Sequence, residues 1–176
     1  DLYKKMLMHL DRARAEGVTN IRGQHSGRPV GLLMGWQTSV HPFIGFPEYR
    51  PYAQMPFRER IEKLKDPKVR AEITGGTTVD QLGAFGTFST TSFHKRYPMG
   101  ERENYEPAPE DSIAAVAERA GKTPAEAAYD AMMLNEGQAL IYFPLFGYST
   151  GDYTAIEETL RHPQTGISLA DGGAHV

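Results

Sequence analysis

The sequence contains no cysteine, so disulfide bonds and thiolate zinc sites are excluded within it. It has no excess of basic residues, since the formal net charge is −3, and this balance argues against a nucleic-acid interface. No apolar run approaches the roughly 20 residues that a membrane-spanning helix needs. We therefore expect neither nucleic acid nor membrane as a partner. Any metal ion bound by these residues must be held by His, Asp or Glu.

The residues that are present indicate a globular domain with much loop. Hydrophobic residues make up 40% and charged residues 23% of the 176 positions, which is typical of a soluble domain with one core. We expect a cytoplasmic protein. No signal peptide is visible, but this absence says little about localisation, because we expect the true start of the chain to be missing. The chain opens on Asp1 inside a helical pattern and stops just after a glycine-rich corner. We therefore expect this sequence to be a piece of a longer protein.

The order of predicted elements indicates an α/β architecture. Residues 2–16 have the periodicity of a helix that ends at Gly17, and residues 18–21 predict a short strand. After an irregular middle, the pattern predicts helices over 111–120, 124–137 and 153–161, a buried strand over 140–146 and a terminal strand over 165–170. Helix followed by strand, twice, favours parallel packing. We divide the chain into segment 1–40, a long, partly helical insertion 41–106, and segment 107–176.

One candidate site follows the first predicted strand. Arg22, Gln24, His25 and Arg28 would lie at or just past its carboxyl end. Each of them alone could be a solvated loop residue. As a group placed after a strand, they are candidates for contacting an anionic ligand.

A second candidate site follows the terminal strand. Asp171 ends the apolar run, and Gly172, Gly173 and His175 come directly after it. Glycines let a ligand or metal approach the backbone closely, and a pair of them could cradle a phosphate. Asp171 itself could be a metal ligand, a general base or a turn former. The sequence has no H-x-H, HExxH or Walker pattern that would decide between these roles.

Several stretches together carry a family resemblance. They are Arg28-Pro-Val-Gly-Leu-Leu-Met-Gly35, His41-Pro-Phe43, Leu64-Lys-Asp-Pro-Lys-Val-Arg70, the run from Tyr105 to Asp130, Arg161-His-Pro163 and Ala170-Asp-Gly-Gly-Ala-His175. In this order they resemble N-acyl-D-amino-acid deacylases (D-aminoacylases) of the metal-dependent amidohydrolase superfamily. The resemblance covers nearly the whole chain, although no single motif is decisive.

The resemblance implies a (β/α)8 TIM barrel with zinc, one or two divalent ions, at the carboxyl ends of its strands. This chain would be a partial barrel of the last strands and helices, running from the helix before the seventh strand into the eighth. Most metal ligands would lie on strands outside it, so the rest of its own barrel would be its partner and the chain alone would be inactive. Asp171 would contact the metal and serve as base for the attacking water, then pass the proton to the leaving amine.

The resemblance also implies a small-molecule substrate, an N-acyl amino acid, with Gln24, His25, Arg28, Gly172, Gly173 and His175 as candidate contacts. The better-known members carry an aspartate and a Tyr-Pro-Tyr segment at the seventh strand, where residues 20–25 read Asn-Ile-Arg-Gly-Gln-His. This departure is compatible with a sibling group that prefers another acyl group or amino acid. Two alternatives stay open: a cyclic-amide hydrolase related to hydantoinases and dihydroorotases, and a non-catalytic barrel-derived binding protein in which Asp171 only forms a turn.

Overall fold

The computed structural model describes residues 1–77, 88, 91–100 and 104–168, and it is a mixed α/β structure. The chain divides into two compact units, which are described separately below. Unit 1 comprises Asp1–Gly31 and Pro144–Val176, and unit 2 comprises Leu32–Phe143. The division into segments 1–40, 41–106 and 107–176 stays a prediction.

The described elements are mainly helices. They are α1 (Leu2–Ala15), α2 (Arg50–Ala53), α3 (Phe57–Leu64), α4 (Pro67–Gly75), α5 (Ile113–Ala120), α6 (Pro124–Gly137) and α7 (Thr154–Arg161). The strands are β1 (Gly23–His25), β2 (Val30–Met34), β3 (Tyr97–Pro98), β4 (Ile141–Phe146) and β5 (Thr165–Ile167). They form a two-stranded sheet, β1-β5, and a three-stranded sheet in the order β2-β4-β3. Within the described residues, these strands do not close into a barrel.

A search of the described residues for a helix both long and apolar enough to cross a bilayer finds none.

Unit 1 is built around the parallel pair of β1 and β5. Gly23 pairs with Thr165, Gln24 with Gly166 and His25 with Ile167. Helix α7 precedes β5 and contacts both strands, and α1 packs against α7. The parallel packing predicted from the helix-then-strand order is therefore confirmed for this pair. It is wrong for β4, which lies in the other sheet and pairs antiparallel with β3.

The strand predicted over residues 18–21 is wrong in position. Gly17 adopts φ +85° and ends α1, and the N–H of Val18 donates to the carbonyl of Ala13 at 2.9 Å. Val18 is therefore part of the helix cap. The strand begins at Gly23 instead, where the partner strand β5 is available.

Unit 2 has an aromatic core centred on Trp36, which is only 1% exposed. Its ring stacks on Phe43 with centroids 5.4 Å apart and meets the rings of His41, Tyr49 and Tyr129. The Nη2 group of Arg60 on α3 donates to the carbonyl of Trp36 at 2.6 Å and so ties this helix to the cluster. Trp36 is therefore a core residue of unit 2.

The helix ends of unit 2 follow from local chemistry. Thr123 and Glu126 form a capping box in which each side chain accepts from the other residue's backbone N–H. The Asp66 carboxylate accepts from the N–H of Lys68 at 2.8 Å, with Pro67 in the first helical position. Both caps are formed by residues within three positions of each other in the sequence.

Candidate functional site

The carboxyl end of β1 is positioned by a close approach of α1. A Cβ at Gly23 would lie 3.0 Å from Cδ1 of Leu10 and 3.2 Å from Cγ2 of Thr165. Glycine therefore lets α1 and β5 pack against the strand at the same point. The N–H of Gly23 donates to the carbonyl of Gln164 at 2.8 Å, which fixes the start of the pairing.

Gln24 lies inside β1 and His25 is its last residue, whereas Arg22 precedes the strand, which corrects the prediction that all four residues lie at or just past its end. Successive side chains of a strand point to opposite faces, so Gln24 and His25 do not converge. Gln24 is exposed, whereas His25 is half-buried beside Gly147. The N–H of Ser168 donates to the carbonyl of His25 at 3.0 Å and continues the pairing beyond β5.

His25 has a defined tautomer. Its Nδ1 lies 2.7 Å from the carbonyl oxygen of Ser26, which can only accept a hydrogen bond. Nδ1 therefore carries the hydrogen, and Nε2 keeps its lone pair. Arg28 is exposed and its Nη1 donates to the carbonyl of Pro29 at 2.8 Å, while Arg22 donates to the carbonyls of Thr19 and Ile21.

Asp171, Gly172, Gly173 and His175 lie outside the described residues. The structural description of unit 1 ends at Ser168, three residues before Asp171 in the sequence. Among the residues that are described, no three His, Asp or Glu side chains come together as a metal site would require.

A G-x-S-x-G pattern, Gly147-Tyr-Ser-Thr-Gly151, lies between β4 and α7. In a nucleophile elbow, such a serine sits on a strained turn that leads directly into a helix. Ser149 does not have a positive φ, and the helix begins only at Thr154. The described hydrogen bonds do not link Ser149 to His25. The pattern therefore does not form a nucleophile elbow.

Unit 2 contains a groove of about 650 Å³ that the sequence did not reveal. Helix α3 lines one side of it through Phe57, Arg58, Ile61 and Glu62, and Lys65, which follows the helix as its C-cap, continues that side. Gln37, Glu136 and Gln138 complete the lining. From the sequence alone, the charges of α3 are most simply interpreted as a solvated face, so no signal there indicates the groove.

The groove is bordered by a strained turn at the end of α6. Asn135 (φ 51°, ψ 46°) and Glu136 (φ 56°, ψ 39°) are left-handed, and Gly137 follows with φ +78°. The left-handed conformation costs a non-glycine residue about 1–2 kcal/mol. The turn is held by hydrogen bonds from Gln138 to the Asn135 carbonyl at 3.1 Å and from Ala139 to the Leu134 carbonyl at 3.2 Å. Strain of this kind is concentrated at functional sites.

No protein-family model, curated protein or solved structure matches the chain.

Proposed function

We propose that this sequence is part of a metal-dependent amidohydrolase that cleaves the amide bond of N-acyl-D-amino acids into a carboxylate and a free D-amino acid. The observation that supports this most directly is the parallel pairing of β1 with β5. Strands that lie next to each other in a (β/α)8 barrel are parallel, and their carboxyl ends form one rim. The chain would supply part of such a barrel, as the family resemblance implies.

The register of the two strands determines which residues share this rim. His25 pairs with Ile167, so both strands end at the same edge of the sheet. Asp171 follows Ile167 by four positions in the sequence, and under this proposal it would lie at that edge. Conserved chemistry in such barrels lies on the loops after the strands, which is where Asp171, Gly172, Gly173 and His175 occur in the sequence.

The proposed role of Asp171 is to move a proton. Its carboxylate would accept a proton from the attacking water and deliver it to the leaving amine of the scissile amide. A divalent ion, zinc in the resemblance, would supply the activation of that water when bound. Asp171 would be one ligand, and the remaining ligands would come from strands outside the printed sequence.

Substrate contacts would come from both strand ends. The Nε2 of His25 has a lone pair and could accept a hydrogen bond from a substrate N–H. Arg28 could pair with a substrate carboxylate, because its guanidinium matches the geometry of that group. Gln24 lies on the opposite face of the strand from His25. It would therefore contact the same substrate only if that substrate extended to both faces.

The experiment uses the full-length protein that contains this sequence. N-acetyl-D-leucine, N-acetyl-L-leucine, hydantoin and dihydroorotate are offered as substrates, and the bound metal is quantified. We expect turnover of the N-acetyl-D-amino acid and bound zinc. Turnover of only the cyclic amides would favour the hydantoinase-like alternative. Absence of both turnover and metal would favour the non-catalytic binding protein. Under all three alternatives we propose a cytoplasmic protein.

A matched pair of variants tests Asp171. Asp171→Asn keeps the size of the side chain and removes the base, so turnover should fall by about 10²–10⁴-fold. Asp152→Asn is the control, because Asp152 caps the start of α7 through Thr154 at 2.9 Å and has no proposed catalytic role. Unchanged turnover in Asp171→Asn would remove this residue from the mechanism. The 176-residue chain alone should be inactive.

A further inference from the structure

The groove lies in unit 2 and is lined by none of the residues proposed for the hydrolytic site. Its volume of about 650 Å³ falls within the range of small-molecule sites. Phe57 is half-buried and Ile61 is 3% exposed, so the floor of the groove is apolar. An apolar floor beneath polar walls suits a ligand that has both kinds of surface.

The charges in the groove are balanced, and two of them are already paired. Nζ of Lys65 donates to Oε1 of Glu62 at 2.6 Å. This hydrogen bond is the main cause that raises the pKa of Lys65, and the negative charge of Glu136 adds to it. In the described part of the chain, the side chains of Arg58 and Glu136 form no hydrogen bond or ion pair with another residue. Arg58 and Glu136 thus keep hydrogen-bonding capacity for a ligand, although Glu136 also lies close enough to Lys65 to raise its pKa.

The strained turn determines where the carboxylate lies. Consecutive left-handed residues at 135–137 form the last part of α6, and Glu136 and the following Gln138 both line the groove. Gly137 is required beneath them, because a Cβ there would clash with the side chain of Ile61 on α3. The turn is therefore packed directly on the helix that supplies Arg58.

We propose that this groove binds a small zwitterion with an apolar side chain, namely an α-amino acid. The fork of Arg58 can bind a carboxylate through two parallel hydrogen bonds. Glu136 can accept from the ammonium group, and Gln37 and Gln138 can hydrogen-bond either end of the ligand. The apolar side chain would cover Phe57 and Ile61. A ligand with only one charge would leave either Arg58 or Glu136 unpaired.

In the first test, the whole chain is titrated with three small-molecule probes, and binding is measured by calorimetry or NMR. Leucine carries both charges, N-acetyl-leucine carries only the carboxylate, and leucinamide carries only the ammonium. Because the charged walls are exposed, we expect leucine to bind with a Kd on the order of 1 mM. The other two probes should bind at least about 10-fold more weakly. Equal binding of all three probes, or no saturable binding of leucine up to its solubility limit, would overturn the proposal.

The second test uses charge-removing variants of the same chain. Arg58→Gln should weaken the binding of leucine at least about 10-fold and leave the binding of leucinamide unchanged. Glu136→Gln should weaken the binding of leucine and leave the binding of N-acetyl-leucine unchanged. Glu59→Gln and Lys63→Gln, which lie on α3 but do not line the groove, are the controls. A circular dichroism melt of each variant checks that the fold is kept. Unaltered leucine binding in both groove variants would contradict the assignment.

Discussion

Arg70 on α4 and Asp130 on α6 form a bidentate ion pair. Nε of the arginine donates to Oδ1 at 2.9 Å, and Nη2 donates to Oδ2 at 3.0 Å. Lys122 also donates to Oδ2, at 2.8 Å. Partial burial raises the pKa of Asp130, but the hydrogen bonds from Arg70 and Lys122 outweigh it and lower that pKa below its ordinary value of 3.8. These contacts join two helices of unit 2.

Asp130→Asn should lower the free energy of unfolding by about 1 kcal/mol at neutral pH, since the pair is bidentate but about a third exposed. A carboxylate whose pKa is lowered in the folded state stabilises the fold at pH values above its ordinary pKa of 3.8. This contribution is lost as the pH falls through the folded-state pKa. The difference between wild type and variant in urea unfolding should therefore shrink at acidic pH. Glu157→Gln, which breaks the exposed pair with Arg161, is the control and should change little. A difference that stays constant with pH would contradict this account.

His41 should make unit 2 sensitive to acid. The ring is 1% exposed, and burial, with a smaller effect of the nearby Arg60 charge, lowers its pKa from 6.5 to about 3. The unfolded chain therefore binds a proton between these values that the folded chain does not bind. The free energy of unfolding should fall with decreasing pH over this window, by at most about 1.4 kcal/mol per pH unit.

His41→Asn tests this origin of the acid sensitivity. The asparagine oxygen can replace Nδ1, which accepts from the N–H of Phe43 at 3.3 Å, but it does not titrate. Urea unfolding from about pH 7 to about pH 4 should show a flatter pH dependence in this variant. His94→Asn is the control, because His94 is exposed and its replacement should leave the slope as in wild type. An unaltered slope in His41→Asn would assign the acid sensitivity to other groups.

Gly137 and Gly121 form a natural pair for separating backbone strain from steric clash. Both have positive φ, +78° and +62°, but nothing lies within 4 Å of a Cβ at Gly121. Gly121→Ala should therefore lower the free energy of unfolding by only about 1–2 kcal/mol, the amount that a left-handed conformation costs a residue with a side chain. Gly137→Ala should lower the free energy of unfolding by more than Gly121→Ala does, because the new methyl group would also clash with Ile61.

A double-mutant cycle checks this interpretation. Ile61→Val removes the atom that the new methyl group would meet most closely, and alone it should cost about 1 kcal/mol. Combined with Gly137→Ala, it should restore part of the lost stability, so that the two effects are less than additive in chemical denaturation. Strictly additive effects would show that the clash is relieved in another way.

Gln164 is 2% exposed, and its Nε2 and Oε1 have no hydrogen-bond partner in the part of the chain that the structure describes. Burying unsatisfied amide groups costs about 1–3 kcal/mol. Gln164→Met keeps the length of the side chain and removes both polar atoms, so we expect unit 1 to gain about 1 kcal/mol. Hydrogen exchange at the N–H of Gly23, which donates to the Gln164 carbonyl, should slow accordingly. Gln138→Met at an exposed position is the control, and faster exchange in Gln164→Met would contradict the expectation.

The features that were predictable from the sequence are those with local causes. The capping box at Thr123, the Asp66 cap and the glycine stops at Gly17 and Gly121 each depend on residues within a few positions of one another. The position of β1 was not predictable, because it depends on β5, far away in the sequence. Val18 and Ile21 have the β-branched character of a strand, but the strand forms where Gly23 permits close packing.

The groove depends on features that a pattern of residue types does not encode. Its walls combine α3 with a turn more than seventy residues later in the chain, at Glu136. Asn135 and Gly137 are residue types that tolerate the left-handed conformation, but Glu136 between them is not. The sequence therefore predicts an end of the helix at this point and gives no indication of three successive left-handed residues.

The pairing of Gly23 with Thr165 has a consequence for the order in which the chain can fold during synthesis. Every residue of unit 2 leaves the ribosome before β5 does, so unit 2 can become compact first. Strand β1 can pair only after β5 has been synthesised, and contacts between residues so distant in sequence form slowly. Truncation before Thr165 should therefore spare unit 2 and leave β1 as an unpaired, aggregation-prone edge during translation.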